Sequence, residues 1–565
     1  MIRRLRILLL VAWLPLTSAI PASTSEALFK NVTDNAIASA HPLATQAGYE
    51  ILAAGGNAFD AAVAITAALA VVEPYSSGIG GGGFYLLHRT MDGFETMLDA
   101  RETAPGRATS NMYLDEDGNV IPGLSRNGPL SAGIPGIPAA LEHLAKRYGK
   151  LPLNKSLAPA IRYAKQGFPV TGRYRLLAGF RVDVLKQYRE AARVFLDAGQ
   201  IPEEGFTVVQ QDLAETLTAI SENGAAGFYK GPVAKKLVEG VRDAGGIWRL
   251  SDLAEYRVIE RQPLYGEYGG MRIVGAPLPS SGGIVLINIF NILSQYDLDS
   301  YKAPQRIHLI VEAMRRAYRD RAEYLGDADF VDVPVERLLN PFYAAGQAAS
   351  VRLDKATPSM LLPGAPVTPA GTDTTHFSII DKQGNRVSAT LSVNLPFGSG
   401  YMPPGTGVLL NNEMDDFAAK PGVPNAYGLV AGGNNPNSIE PGKRMLSSMS
   451  PTFLETDERI AVLGTPGGSR IITMVLLAAL DFYQGGDAER MVMLPRFHHQ
   501  FLPDRISFEP EALDQNTRLE LQWRGHQLDE MNRRYGNMQV VIFNKASKKF
   551  DVASDPRGEG LAEVR

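Results

Sequence analysis

Apolar positions change their spacing several times along the chain, and each change predicts an element. Residues 43–54 carry a helical period and run into Gly55-Gly56, a helix with a glycine stop. Ala58–Val72 (AFDAAVAITAALAVV) is apolar on nearly every side, which predicts a fully buried helix ended before Pro74. Residues 84–89 and 95–99 flank a turn at Met91-Asp92-Gly93, a β-hairpin. From about residue 140 to 330 the period is mostly helical. Its longest member, within 304–326, sets Ile307, Val311, Met314 and Tyr318 on one face and predicts that its arginines form a solvated one.

Residues 350–372, rich in Pro, Thr, Gly and Ala, read as a mobile loop. Alternation returns at 375–381, turns at Lys382-Gln383-Gly384-Asn385 and comes back at 386–393, a second hairpin. A Pro/Gly/Asn-rich stretch fills 421–442. Residues 469–483 predict an apolar helix with Ser469 as N-cap and Gly485 near its end. Residues 540–544 and 550–553 make a late hairpin. There is no internal repeat of fixed period.

Composition narrows the chemistry. The 565 residues contain no cysteine, which excludes disulfides, a Cys nucleophile and thiolate metal sites. With 56 basic against 60 acidic residues, no bulk charge draws the chain to nucleic acid. Arg3, Arg4 and Arg6 precede an apolar run over 7–16, and Thr17-Ser18-Ala19 offers a small-residue cleavage site. That is the layout of a secretory signal peptide over residues 1–19, implying a periplasmic or secreted protein; an uncleaved anchor is the alternative. The run is too short to span a bilayer as a helix, and the apolar 471–480 reads as a buried helix, so no stable membrane span is expected. Asn31-Val32-Thr33 is a glycosylation sequon that matters only in a eukaryotic secretory host.

Gly78, Gly80 and Gly83 fit the spacing G-x-G-x-x-G, but they follow a helix and open a strand, the reverse of a dinucleotide site. Close backbone packing is the reading adopted. Adjacent His498 and His499 point to opposite faces of an extended segment and cannot chelate together. No G-x-S-x-G elbow is present. Thr374 and Thr375 open a strand just after the flexible loop. A threonine hydroxyl is a weak nucleophile unless a base lies beside it, and a chain-terminal threonine carries that base as its own α-amine. An internal threonine reaches that state only if the bond before it is cut.

The surrounding motifs decide between this and a plain strand. GGNAFDAAVA (55–64), SSGIGGGGF (76–84), LDARETAP (98–105), TTHFSIIDKQGNRVSATLSVN (374–394), LLNNEMDDF (409–417), KRMLSSMSPT (443–452), GTPGGSRII (464–472), PRFHHQ (495–500) and ASDPR (553–557) occur in order. Together the chain resembles the γ-glutamyltransferase (glutathione hydrolase) family of N-terminal nucleophile hydrolases from about Ala38 onward. The resemblance implies self-cleavage between Asp373 and Thr374, giving a large subunit over 20–373 and a small one over 374–565 in one globule. Thr374 would then attack a γ-glutamyl compound such as glutathione, and water or an acceptor amino acid or peptide would take the acyl group.

Further roles follow residue by residue. Arg101 matches the arginine for the substrate's α-carboxylate, supported by Ser447 and Ser448; a surface ion pair with Glu102 or Asp99 is the alternative for it. Asn394, Glu413 and Asp416 match positions that hold the α-ammonium, with Asp415 structural. Gly467 and Gly468 match the oxyanion donors. Thr390 and Ser392 lie on the returning strand, and Ser392 stands where the family often has threonine, keeping the hydroxyl beside the nucleophile. Residues 421–433 match a lid loop with Tyr427 as its gating aromatic. The implied fold is α+β, four layers αββα, with two central, mostly antiparallel sheets between helices. No metal or organic cofactor is implied. The competing readings are a cephalosporin-acylase-like amidase, a poly-γ-glutamate depolymerase, and a binding protein that never matures.

Overall fold

Two antiparallel sheets lie face to face in the structure, a computed structural model that describes residues 27–362 and 374–565. The signal peptide read at 1–19, Asp373 and residues 363–372 of the loop read at 350–372 lie outside the described residues. The first sheet has seven strands in the order Leu561–Val564, Ala36–Ser39, Thr375–Ile380, Arg386–Ser392, Gly82–Arg89, Phe94–Ala100, Ile259–Arg261. The second has six: Lys549–Ser554, Gln539–Asn544, Arg459–Gly464, Thr452–Glu455, Met271–Gly275, Leu264–Tyr268.

Strand alternation sorts side chains between two cores. Along Gly82–Arg89, Phe84 and Leu86 face the second sheet, while Tyr85 and Leu87 join a core roofed by helices Pro42–Ala53, Ala58–Val72 and Leu153–Gln166. Helices Gly282–Leu293 and Ile471–Tyr483 cover the outer side of the second sheet, with Ala303–Tyr324 packed beyond. The order is helix, sheet, sheet, helix, the expected α+β arrangement. Hydroxyls stitch the facing sheets: Ser378 Oγ donates to Gln539 O (3.1 Å) and Ser388 Oγ to Leu463 O (3.0 Å).

Ala58–Val72 is buried at all 15 positions and begins in a capping box of Asn57 and Asp60. The three hairpins stand where alternation placed them. At Gly80 a Cβ would overlap the Leu409 carbonyl, and at Gly83 it would lie 2.7 Å from Thr390 O, so close packing explains those two glycines. Gly78 has room for a side chain.

Other expectations are corrected. The helical reading of 140–330 passed over Ile259–Arg261, Leu264–Tyr268 and Met271–Gly275, strands too short to establish a period. The arginines of Ala303–Tyr324 are not a solvated face: Arg315, Arg316 and Arg321 are buried. Chain from outside the helix covers them, so Arg315 reaches Ser359 Oγ (2.6 Å) and Asp504, and Arg316 reaches Gln347 O (3.1 Å). Ser469 does not cap its helix. It sits in the 3-10 turn Gly468–Arg470, and its hydroxyl donates to Gln500 Oε1 (2.6 Å) instead.

Candidate active site

Thr374 immediately precedes the strand Thr375–Ile380, at one end of the facing sheets, and is 4% exposed. The register Thr375↔Leu391 brings Ser392 of the returning strand beside it. Both line a narrow cavity with Arg101, Asn394, Glu413, Asp416, Tyr427, Ser447, Ser448 and Gly468. Ten predicted site residues, from six separate stretches of sequence, thus meet on one wall system. Gly467, next to Gly468 in the chain, lines a neighbouring cleft of about 880 Å³ with Arg533 and Tyr535.

The strand under Thr374 is held at its flanks. Thr375 Oγ1 donates to Glu73 Oε2 (2.6 Å) at the end of the buried helix. His376 Nδ1 pairs with Thr390 Oγ1 (2.9 Å) between the sheets. Burial lowers the His376 pKa to about 3, so the ring is neutral and fixed. A Cβ at Gly464 would overlap that ring.

Arg101 follows the strand Phe94–Ala100 and is fully buried, which removes the surface ion-pair reading. Its Nη1 donates to Glu413 Oε2 (2.7 Å), its Nη2 to Asp416 Oδ2 (2.5 Å) and its Nε to Met445 O (3.3 Å). Glu102 lies 3.6 Å from the same guanidinium. Three carboxyl groups therefore share one buried cation, with Glu102 and Glu413 buried and Asp416 partly exposed. Desolvation pushes Glu413 up to about 7, Arg101 pulling down and Asp416 pushing up; burial also raises Asp416, and raises Glu102 well above the usual range.

Asn394 Oδ1 and Glu413 Oε1 are buried acceptors that make no hydrogen bond among the described residues. Two such acceptors on one cavity suit a cationic donor. Asn394 is held at φ 75° by its N–H on Ser392 Oγ (2.7 Å) and its Nδ2 on Asn412 O (2.8 Å).

Ser447 and Ser448 are set by the loop before helix Gly282–Leu293: Ser447 N donates to Pro279 O (2.8 Å) and Ser281 N to Ser447 O (2.8 Å). Gly467 (φ 144°) and Gly468 (φ 58°) turn the chain into the helix Ile471–Tyr483. Among the described residues neither glycine N–H has an acceptor. A Cβ at Gly468 would overlap the Tyr427 ring. That ring is buried over the cavity, its hydroxyl donating to Asn394 O (2.8 Å) and its carbonyl accepting from Gln500 Nε2 (3.2 Å). Asp415 stays off the cavity. It accepts from Ser125 Oγ (2.6 Å) and from Ala426 N (2.8 Å), tying the 421–433 loop down.

His498 and His499 turn to different partners, Thr473 and Gln500 for one and Asp504 for the other. Among the described residues one group has metal-ligand geometry, His308, Glu312 and His526. Its atoms are already engaged: Glu312 holds Arg315 and Arg316, and His308 bonds both His526 Nε2 (2.7 Å) and Arg352 O (2.7 Å).

Sequence reasoning missed Arg321, which also lines the cavity. The signal was present: 307, 311, 314, 318 and 321 continue one helical stripe, and a charge in an apolar register is a residue with a buried task.

The Gamma-glutamyltranspeptidase family model matches residues 44–564. The chain is 46% identical over 487 residues to the glutathione hydrolase proenzyme of Pseudomonas sp. (strain A14), covering 85% of this chain and 84% of that protein. It is 41% identical over 527 residues to the glutathione hydrolase proenzyme of Escherichia coli (strain K12), covering 92% and 90%. The crystal structure of cephalosporin acylase from Bacillus halodurans superposes with a TM-score of 0.81 at 28% identity, over 94% of this chain and 96% of that one. With a match of this length and relatives this similar along it, the chain belongs to the gamma-glutamyltranspeptidase family.

Proposed function

We propose that this chain is an exported, self-cleaving γ-glutamyltransferase and glutathione hydrolase with Thr374 as nucleophile. The observation that carries the reading is the meeting, beside Thr374, of guanidinium, serine hydroxyls and acceptors without a partner among the described residues, in one narrow cavity. That set matches a head group bearing both an α-carboxylate and an α-ammonium. Cutting Asp373–Thr374 frees an amine whose ordinary pKa of about 7.7–8.0 suits it to take the hydroxyl proton near neutral pH. The hydroxyl oxygen adds to the γ-carbonyl, and the N–H groups of Gly467 and Gly468 receive the developing oxyanion. Expulsion of the amine, which takes a proton, leaves a γ-glutamyl ester on Thr374. Water or an acceptor amine then releases it. Ser392 keeps a hydroxyl beside the nucleophile, and Tyr427 closes the lid.

An acylase reading is less supported. A glutaryl group has no ammonium, and would leave Asn394 Oδ1 and Glu413 Oε1 buried without a donor. The purified protein is expected to give two bands in denaturing electrophoresis, the smaller beginning Thr-Thr-His-Phe, and to cleave γ-glutamyl-p-nitroanilide. A single persistent band, or cleavage of glutaryl amides alone, contradicts the reading.

Glu413 also sets a pH dependence. Below about 7 its carboxyl holds a proton and offers the ammonium no negative charge. KM for a γ-glutamyl donor should therefore fall, by about tenfold, as pH rises through that value. In Glu413→Gln the KM should be high and flat across the same range, measured by initial rates from pH 5 to 9.

A further inference from the structure

Arg101 spends three of its five N–H groups on protein partners and keeps two for a ligand. Both of its terminal nitrogens are engaged by Glu413 and Asp416, and its Nε by a carbonyl. The second guanidinium on the cavity has hydroxyl partners in place of carboxylates. Arg321 is buried near the end of the helix Ala303–Tyr324, and its hydrogen bonds go to hydroxyls: Nε to Ser281 Oγ (2.9 Å) and Nη2 to Ser448 Oγ (3.2 Å). Among the described residues no carboxylate is in ion-pair contact with it. Asp416 acts on it through space, and Arg101 opposes its charge. Burial brings its pKa down to about 10, so it still carries its charge at neutral pH. A buried cation without an anion is costly, and an anionic ligand relieves that cost.

The serines complete the geometry. Ser448 Oγ accepts from Arg321, and Ser447 Oγ accepts from Met449 N (3.1 Å). Among the described residues neither hydroxyl passes its own proton to an acceptor. A hydroxyl that accepts from a cation turns its O–H away from that cation and donates more strongly. Ser281, the other partner of Arg321, also fixes the backbone of this pair through its N–H and its Oγ, both donated to Ser447 O. One guanidinium thus holds the Ser448 hydroxyl directly and the Ser447 backbone through Ser281.

We infer that Arg321 is a positioning and specificity residue for the donor's α-carboxylate: it aims the Ser448 O–H at that carboxylate and adds a second positive charge to that of Arg101 on the same cavity. This rests on the γ-glutamyl reading above. It predicts that Arg321 matters only for donors that carry the α-carboxylate.

The test compares two substrates that differ by that group, γ-glutamyl-p-nitroanilide and 4-aminobutyryl-p-nitroanilide, in the mature wild type and in Arg321→Met and Arg321→Lys. Arg321→Met should raise KM for the glutamyl donor about 30-fold with kcat little changed, as expected for one lost charge-assisted contact. Its kcat/KM for the aminobutyryl donor should stay within about twofold of wild type, well inside that loss. Arg321→Lys keeps the charge without the fork and should fall between. Equal losses on both substrates, or no loss on either, overturn the inference. So does failure of both variants to yield soluble, cut enzyme, since that assigns Arg321 to the fold. If the wild type itself ignores the glutamyl donor, the γ-glutamyl reading fails instead.

Discussion

Thr374→Ala is expected to stay a single chain and to lose γ-glutamyl transfer by about 10⁵-fold or more, because in the proposed mechanism one hydroxyl performs both the cut and the turnover. No neighbour can replace it. Thr375 Oγ1 already donates to Glu73, and Ser392 ends a strand inside the chain, where no chain-terminal amine can serve as its base. His376 cannot serve as an external base either, being neutral, buried and bonded to Thr390. Thr374→Ser keeps the nucleophilic oxygen and should cut and turn over slowly. Electrophoresis over a time course and the p-nitroanilide assay read both. Two bands from the alanine variant would mean that a separate protease makes the cut.

The second large effect concerns Arg101. Arg101→Gln should destabilise the protein by about 3–5 kcal/mol and abolish saturable donor binding, since a buried carboxyl cluster then loses the cation at its centre. The loss should grow with pH. In the wild type Glu413 titrates at about 7 rather than 4.5, so the folded state holds a proton that the unfolded chain releases, and stability declines as pH rises through that window. Without Arg101 the carboxyl groups rise further, and the decline extends to higher pH. Denaturant unfolding at pH 5 and pH 8 measures this; an equal deficit at both values would show that the cluster is not the cause.

Local pattern revealed the elements whose burial is one-sided or complete. Ala58–Val72 and the hairpin from Thr375 could be placed because apolar period and turn residues coincide there. Ala36–Ser39 and Leu561–Val564 could not, since each has only four residues and pairs with chain hundreds of positions away. The site has the same limit. Arg101, Glu413 and Ser447 meet only after folding, so their roles came from resemblance to a family and not from spacing. Arg321 escaped both routes because a helix face with several arginines reads as solvated until the chain that covers it is known.

The strand order carries a consequence for the life of the molecule. Ala36–Ser39 lies between Leu561–Val564 and Thr375–Ile380, Gly82–Arg89 borders Arg386–Ser392, and Met271–Gly275 borders Thr452–Glu455. A break before Thr374 therefore leaves two polypeptides woven through both sheets. The intact chain assembles as one body, whereas the broken one could re-form only by encounter of two. Folding must come first and cutting second, and the cut makes the first step hard to repeat. The mature enzyme then persists through slow unfolding rather than through ready return.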